Sequence, residues 1–363
     1  MFRFLSRDWC KFDWILALTT VILSLIGLAA IYSVDLSQGQ SLSYTPTQII
    51  ALFIAIFVFF IASQVHVSFY ETSAKWVYIL AVLLLIGVLF FGVTVRGTTG
   101  WFRLFGFSFQ PAEFAKVALV IFLAWRIDRQ ARRFETWQYL VSTLTMSLIL
   151  VGCIMLQPDF GTALILFGCW FGLLLLSGTR KRYIAAIILT GMLVAAVSWF
   201  FLFKPYQKER VMTFVNPTLD PLGSGYNVTQ SIIAVGSGQL KGRGLGFGSQ
   251  SQLHFLPEAQ TDFIFAVIGE ELGFVGLSLV MLLYLVVLFR LVRIARMCRN
   301  DFSSYLVLGI TLIFLLQMSI NVGAALGLVP VTGVTLPLLS YGGSSLVISF
   351  LFVGIAESAA RSS

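Results

Sequence analysis

Long apolar segments recur along almost the whole sequence, and they constrain the fold more than any other feature. A helix that crosses the hydrocarbon core of a membrane needs about 20 mostly apolar residues. Ten segments approach or reach that length: 14–32, 47–65, 77–95, 111–126, 139–156, 160–177, 183–203, 263–289, 304–327 and 338–358. Charged residues make up 11% of the chain, whereas soluble domains have about 25%. The sequence therefore predicts an all-α polytopic membrane protein with about ten transmembrane helices, formed as a single domain over residues 1–363.

The basic residues lie between the apolar segments in a pattern that orients the protein. Ten spans place both chain termini on the same side of the membrane. The cluster 180–182, the arginines of 126–133 and those of 290–299 then fall on the side of the termini. Short cytoplasmic loops carry an excess of lysine and arginine, so we predict that both termini are cytoplasmic. This topology accounts for the net charge of +8, and no nucleic-acid partner is predicted.

A long extracytoplasmic loop, residues 204–262, is predicted between spans 7 and 8. Connections longer than about 15 residues are usually functional or disordered. Segment 226–235 is predicted to form an amphipathic or re-entrant helix. The glycine-rich run 241–248 is predicted to be a flexible loop, with a phosphate-binding nest as a weaker alternative. The four cysteines show neither disulfide nor metal-binding spacing and are predicted to be free thiols, and the two histidines predict no zinc site.

Asp262 ends this loop, directly before the apolar run that opens span 8, and Glu258 lies four residues earlier. A carboxylate at a membrane boundary is costly to keep unless it is paired, hydrated or used. The residues support two interpretations equally. In one, Asp262 caps the following helix, which would stabilise that helix by about 0.3–1 kcal/mol. In the other, the apolar wall raises the pKa of Asp262 so that it accepts a proton as a general base.

Other charged residues lie inside or beside apolar segments. Glu113 and Lys116 are three residues apart at the start of span 4 and share one side of a helix. An ion pair that supports the fold is favoured over a diphosphate-binding site. Glu270 and Glu271 belong to span 8. Tight helix packing beside small residues such as Gly269 is favoured over a polar groove for this segment, and pairing to a neighbouring helix would make both glutamates structural.

Two further segments combine polar residues with a membrane boundary. Trp101 and Arg103 belong to a short outer loop after span 3. Anchoring at the membrane interface is the favoured role, and contact with a phosphate and a sugar face is the alternative. Asp159 follows Pro158 directly before span 6. It is predicted to be the N-cap of that span, because its side chain can accept a hydrogen bond from the first helical turn.

Several longer motifs carry a resemblance to a known family. Three of them are 216–221 with the glycine-rich stretch after it, 255–273, and the segment that runs from Asn321 to Ser344. Segments 110–113 and 157–162 agree as well. Together they resemble the SEDS family (shape, elongation, division, sporulation), best represented by RodA and FtsW. The resemblance covers nearly the whole chain.

The resemblance implies a ten-span peptidoglycan glycosyltransferase of the bacterial inner membrane, which polymerises lipid II into glycan strands at the outer face. The family's essential acidic residue in the outer loop matches Asp262, which would act as general base on the acceptor 4-hydroxyl. The candidate substrate-binding residues are Lys116, Glu113, Trp101, Arg103, Glu258 and Asp159. Lys116, Arg103 or a divalent cation, Mg²⁺ or Mn²⁺, would offset the charge on the departing diphosphate. No metal ligand is assigned.

The resemblance also implies a partner, a class B penicillin-binding protein that cross-links the new glycan, in addition to membrane lipids and the nascent strand. The patterns 223–227 and 255–258 resemble RodA more than FtsW and favour cell elongation over an FtsW-like division role. Two other functions stay open. One is a transporter that flips lipid II, which intramembrane charges would suit, although no inverted repeat is visible. The other is a non-catalytic scaffold for the transpeptidase.

Overall fold

The computed structural model describes residues 12–37, 42–95, 97–104, 107–129, 137–202, 208, 212–213 and 223–362. A helix occupies each of the ten predicted positions. The helices are α1 Trp14–Ser37, α2 Tyr44–Gln64, α3 Val67–Phe91, α4 Pro111–Arg129, α5 Trp137–Met155, α6 Phe160–Leu176, α7 Lys181–Val197, α8 Ser224–Ser237, α9 Ser249–Gln252, α10 Ile264–Met297, α11 Asp301–Ala325 and α12 Gly343–Ser362. Motif 216–221, Cys10 and residues 130–133 lie outside the described residues.

Eight of the described helices are long and apolar enough to cross a membrane, which confirms a polytopic all-α membrane protein. Helices α4 and α6 are the two predicted spans outside that set. Helix α6 has only 17 residues, and α4 carries five charged side chains in 19 residues. Helix α4 is nevertheless almost wholly buried and packs against α3, α6, α11 and α12. Glu113 and Lys116 in its first turns are buried inside the bundle and do not face lipid, which makes these charges tolerable. Arg129, at its other end, is exposed.

Polar contacts connect the ends of several helices on the side of the bundle that we predict to be cytoplasmic. Arg290 near the end of α10 donates to the Asp13 carboxylate before α1, with Nε 2.7 Å from Oδ2. The Asp13 N–H donates to Glu357 of α12 at 3.1 Å. The Asp128 carboxylate of α4 accepts the N–H of Phe302 in the first turn of α11 at 3.2 Å. These contacts agree with ten alternating spans and with a shared side for both termini.

The opposite end carries two features that the sequence analysis did not predict. The Asp35 carboxylate at the end of α1 accepts hydrogen bonds from the N–H groups of residues 43, 44 and 45, and so caps the start of α2. The predicted outer loop after α3 forms a small antiparallel sheet in the order β1, β2, β3. Its strands are β1 Val93–Val95, β2 Thr98–Leu104 and β3 Phe107–Phe109. This sheet leads directly into α4.

Helix α10 is broken at Gly273, where φ is 66° and ψ is −164°. Backbone groups on both sides of the break lose their helical partners, and the glycine-rich segment supplies replacements. Carbonyls 270 and 271 accept the N–H groups of residues 243 and 244 at 3.0 and 2.9 Å. The N–H groups of residues 274 and 275 donate to carbonyls 239 and 240 at 2.8 and 3.1 Å. All buried backbone groups need such partners, so the break and the segment form one unit.

The close approach explains why this segment is rich in glycine. A methyl group at Gly238 would lie 1.9 Å from the carbonyl oxygen of Gly269, and one at Gly242 would lie 2.0 Å from that of Glu271. Only residues without a β-carbon fit there. The prediction of a flexible loop over 241–248 was therefore wrong, because long-range backbone pairing orders the segment. The predicted helix at 226–235 is confirmed as part of α8.

Candidate active site

Asp262 lies in a tight turn immediately before α10. Glu258 adopts a left-handed conformation, with φ of 54°, and its carbonyl accepts the N–H groups of Thr261 at 3.1 Å, Asp262 at 3.2 Å and Phe263 at 3.4 Å. Phe263 occupies the N-cap position of α10. The prediction that Asp262 occupies the N-cap position was therefore wrong, because the turn places Phe263 there. The Asp262 side chain is partly exposed.

The main chain of this turn is attached to the end of α11 and to the loop between α11 and α12. Three consecutive carbonyls, 260–262, each accept a hydrogen bond from that region. Their donors are the N–H of Tyr341 at 2.8 Å, the hydroxyl of Ser340 at 2.6 Å and the amide nitrogen of Asn321 at 2.9 Å. The turn is thus held on a part of the chain far from it in sequence. Asn321 belongs to the motif 321–344, but no local pattern predicted a role for its side chain.

The α11–α12 loop also connects Asp262 to the beginning of α6. A methyl group at Gly333 would lie 3.9 Å from Asp262 Oδ2. A methyl group at Gly161, in the first turn of α6, would lie 2.6 Å from the carbonyl oxygen of Thr332. Residues 332 and 333 therefore lie between Asp262 and the N-terminal turn of α6. Asp159, a second predicted site residue, caps that turn.

Glu113, Lys116 and Asp159 form a second polar group at the same end of the bundle. Lys116 Nζ lies 2.7 Å from Glu113 Oε2, and the two side chains are only 1% and 7% exposed. Asp159 accepts the N–H of Thr162 at 3.0 Å, and the Gln110 amide approaches its other oxygen at 3.5 Å. The predicted ion pair and the predicted N-cap are both confirmed.

Burial raises the pKa of the Asp159 carboxyl above its usual value, and the negative charge of Glu113 adds to the rise. Hydrogen bonds from Thr162 and the positive charge of Lys116 oppose it. Lys116 thus interacts electrostatically with two carboxylates. An anion that entered this group would compete with both of them for the same cation.

Gln157, two residues before Asp159, lies between strand β2 and the polar group of Glu113, Lys116 and Asp159. The Gln157 amide nitrogen donates to the carbonyl of Leu85 at 3.2 Å. Its Oε1 is buried and has no hydrogen-bond partner within the described ranges, and a methyl group at Gly100 would lie 3.4 Å from it. Trp101, the next residue on β2, is partly exposed, and Arg103 is exposed opposite Ser108 of β3. The burial of Gln157 was not predicted, because a glutamine beside Pro158 gives no local signal of burial.

Glu270 and Glu271 are buried and serve the packing of the glycine-rich segment. The Glu270 carboxylate accepts the N–H groups of Gln250 at 2.8 Å and Ser251 at 3.1 Å, at the start of α9. Glu271 accepts the hydroxyl of Ser33 from α1 and the N–H of Gly246 at 3.2 Å. These contacts favour the structural interpretation, and Glu271 contacts a neighbouring helix through Ser33 of α1, as that interpretation requires.

Possible metal ligands and cysteines were compared with the predictions in the part of the chain that the structure describes. Within it, no three His, Cys, Asp or Glu side chains meet in an arrangement that could hold a metal ion. Cys153 and Cys169 are free thiols, as predicted. The candidate site consists of Asp262 on its turn, the Glu113–Lys116 pair and Asp159.

Comparison with known proteins identifies the family. A family model described as "Cell cycle protein", which covers FtsW, RodA and SpoVE, matches residues 12–363. The chain belongs to the FtsW/RodA/SpoVE family. This confirms the resemblance on which the sequence analysis relied, and it supports a multi-pass protein of the bacterial inner membrane.

Relatives in this family have similar lengths and identities. Stage V sporulation protein E of Bacillus subtilis is 36% identical over 96% of this chain and 97% of its own length. Peptidoglycan glycosyltransferase MrdB of Escherichia coli is 36% identical over 89% and 87%. The probable peptidoglycan glycosyltransferase FtsW of Acinetobacter baylyi is 36% identical over 94% and 87%. The family thus includes peptidoglycan glycosyltransferases that match this member along most of its length.

Solved structures of the family share the fold. One belongs to a study of how a peptidoglycan synthase complex coordinates polymerization and crosslinking. Its matching chain gives a TM-score of 0.81 at 30% identity, over 97% of this chain and 98% of that one. Thermus thermophilus RodA gives a TM-score of 0.72 at 28% identity, with the same coverage. The arrangement of helices described above is therefore that of the FtsW/RodA/SpoVE family.

Proposed function

We propose that this protein is a peptidoglycan glycosyltransferase that polymerises lipid II into glycan strands at the outer face of the inner membrane, with Asp262 as general base. One observation carries the proposal. The Asp262 carboxylate lies on a hydrogen-bonded turn at the predicted outer end of the bundle. The α11–α12 loop separates it from the part of the bundle that contains the buried Lys116. A rigid support of this kind is what a catalytic group requires, since small displacements cost a large part of the rate.

The reaction joins two polyprenyl-anchored sugars. Asp262 accepts the proton of the acceptor's GlcNAc 4-hydroxyl, and that oxygen attacks the anomeric carbon of the donor's MurNAc. The bond between this carbon and the diphosphate oxygen breaks, so that undecaprenyl diphosphate leaves and the configuration inverts. Positive charge develops on the sugar ring and negative charge on the diphosphate in the transition state. The protein therefore needs a base on one side and a positive charge on the other.

Lys116 is the described residue best suited to offset the diphosphate charge. It lies in a buried environment, where charge interactions are stronger than in water. Glu113 neutralises it at rest, and an arriving diphosphate would share it. Arg103 and Trp101 on β2 are proposed to contact the phosphate and the sugar face, and Glu258 and Asp159 to line the site. A divalent cation on the diphosphate would supply the same charge.

A transpeptidase is the proposed partner, and elongation is the proposed cellular role. The partner is supported by similarity to a chain of a peptidoglycan synthase complex that coordinates polymerization and crosslinking. The role is supported by patterns 223–227 and 255–258, whereas MrdB, FtsW and SpoVE relatives are equally similar at 36%. Restoration of rod shape in elongation-depleted cells would support this role, and restoration of septation alone would assign division.

The decisive test compares Asp262→Asn with the wild type in the purified complex, with lipid II as substrate and the length of the glycan product as readout. Removal of a general base typically lowers the rate by about 10²–10⁴-fold. Asp301→Asn is the matched control, because Asp301 is an exposed aspartate in the first turn of α11 at the other end of the bundle. Near wild-type polymerisation by Asp262→Asn would refute the assignment.

The two alternative functions are distinguished by a translocation assay and by growth of cells that carry the variant. Translocation of lipid II across vesicles without any polymer would favour a transporter. A scaffold predicts that cells with Asp262→Asn grow normally, because only the contact with the transpeptidase would matter. The enzyme predicts loss of growth together with loss of polymer.

A further inference from the structure

We propose that Asn321 is a positioning residue for the reaction, because its side-chain amide fixes the main chain of Asp262 relative to the loop that faces the base. The inference rests on the proposed role of Asp262. It assigns Asn321 no contact with substrate. Its effect would pass through the position of the Asp262 carboxylate.

The geometry is that of a two-point clamp. Asn321 lies in the last turns of α11, and its residue surface is 2% exposed. Its amide nitrogen donates one hydrogen to the carbonyl of Asp262 at 2.9 Å and the other to the carbonyl of Val334 at 2.8 Å. A primary amide nitrogen has two hydrogens, and both are used. One buried atom thus joins the turn before α10 to the loop between α11 and α12.

The second contact extends the clamp toward the Lys116 side of the site. A methyl group at Gly161 would lie 2.6 Å from a methyl carbon of Val334, so Val334 packs against the first turn of α6. Asp159 caps that turn and interacts electrostatically with Lys116. A chain of contacts therefore runs from the base through Asn321 and Val334 to the residues proposed to bind the diphosphate.

The chemistry of the side chain argues against a purely packing role. Asn321 Oδ1 is buried without a hydrogen-bond partner among the described residues. A buried unsatisfied acceptor destabilises a fold, whereas an apolar side chain of similar size would avoid that cost. The two donors are what an apolar replacement would lose. Asn321 therefore has a buried oxygen that destabilises the fold, together with an amide nitrogen that connects two segments of the site.

The test measures kcat and KM for lipid II in the purified complex with its transpeptidase. Asn321→Leu removes both donors, and a displacement of the base by about 1 Å would lower kcat on the order of 10²-fold. KM is expected to stay near the wild-type value, because the side chains proposed to bind substrate are unchanged. Gln317→Leu is the matched control, a buried amide one turn earlier on α11. Its kcat is expected to match the wild type.

A second variant covers the case in which Asn321→Leu does not fold. Asn321→Ser is smaller and keeps one donor, so it can hold at most one carbonyl and should give an intermediate kcat. Wild-type kcat in a folded Asn321→Leu or Asn321→Ser variant would overturn the proposal. So would equal loss of kcat and thermal stability in the Asn321 variants and in Gln317→Leu, since that pattern indicates packing.

Asp262→Asn is measured in parallel to separate the two proposals. If it is inactive while Asn321→Leu has wild-type kcat, only the positioning role fails. If Asp262→Asn itself has wild-type kcat, the general base is wrong and the positioning role fails with it.

Discussion

The Glu113–Lys116 pair permits an experiment that separates a structural role from a binding role. Lys116→Met keeps the volume of the side chain but leaves the Glu113 carboxylate buried without its cation. Removal of one partner of a buried ion pair typically costs about 3–5 kcal/mol. With the average unfolding entropy per residue, this loss lowers the thermal midpoint of the 363-residue chain by about 4–7 °C.

The double variant Glu113→Gln, Lys116→Met removes both charges together. A buried pair that is replaced by neutral residues of similar size is often neutral or stabilising by about 1–4 kcal/mol. We therefore expect its midpoint to return to the wild-type value or to exceed it. Polymerisation of lipid II is expected to stay low, because the cation proposed to offset the diphosphate charge is absent.

Two measurements decide the outcome: thermal unfolding in detergent and polymerisation of lipid II by the purified complex. Glu113→Gln alone is the matched single variant, since it leaves the lysine without its ion-pair partner. A double variant with wild-type stability and wild-type activity would show that the pair only supports the fold. A Lys116→Met variant with an unchanged midpoint would refute the reasoning from burial itself.

Two more predictions concern the glycine-rich segment and the cap of α6. Gly242→Ala should lower the thermal midpoint clearly more than Gly246→Ala, because both positions have positive φ but only at Gly242 would the methyl group meet a backbone carbonyl, at 2.0 Å; equal midpoints would contradict the close packing. For Asp159, burial holds the folded-state pKa above the usual 3.8, so the native state binds this proton more tightly than the unfolded chain. Its contribution to stability is present below 3.8 and is lost as the pH rises through the raised folded-state pKa. The midpoint of the wild type relative to Asp159→Asn should therefore rise as the pH falls into that range, and a difference independent of pH would contradict this cause.

Local patterns in the sequence were sufficient for several features of the site. The spacing of Glu113 and Lys116 places both on one side of any helix, and their ion pair is present. Asp159 after Pro158 is a local capping signal, and the cap is present. Such features depend on neighbours within four residues, so the sequence contains all the partners.

Features that depend on distant partners could not be predicted in this way. The run 241–248 has the composition of a flexible loop, yet it pairs with the break in α10 because Gly242 and Gly273 let the two backbones approach closely. Asp262 is a residue type that favours the N-cap position, but the turn at Glu258 places Phe263 in that position. The Asn321 contacts join segments that only the folded bundle brings together.

The sequence by itself determined that the chain spans a membrane many times and where its acidic residues meet the apolar runs, and it predicts that the basic loops face the cytoplasm. The cost of placing charge in hydrocarbon depends on composition and length, and both can be read from one segment at a time. Only the tertiary structure decided which polar groups meet. Helix α4 buries Glu113 and Lys116 because five other helices, α3, α5, α6, α11 and α12, pack against it. Asp262 has a defined position because donors from the end of α11 and the following loop hold its turn.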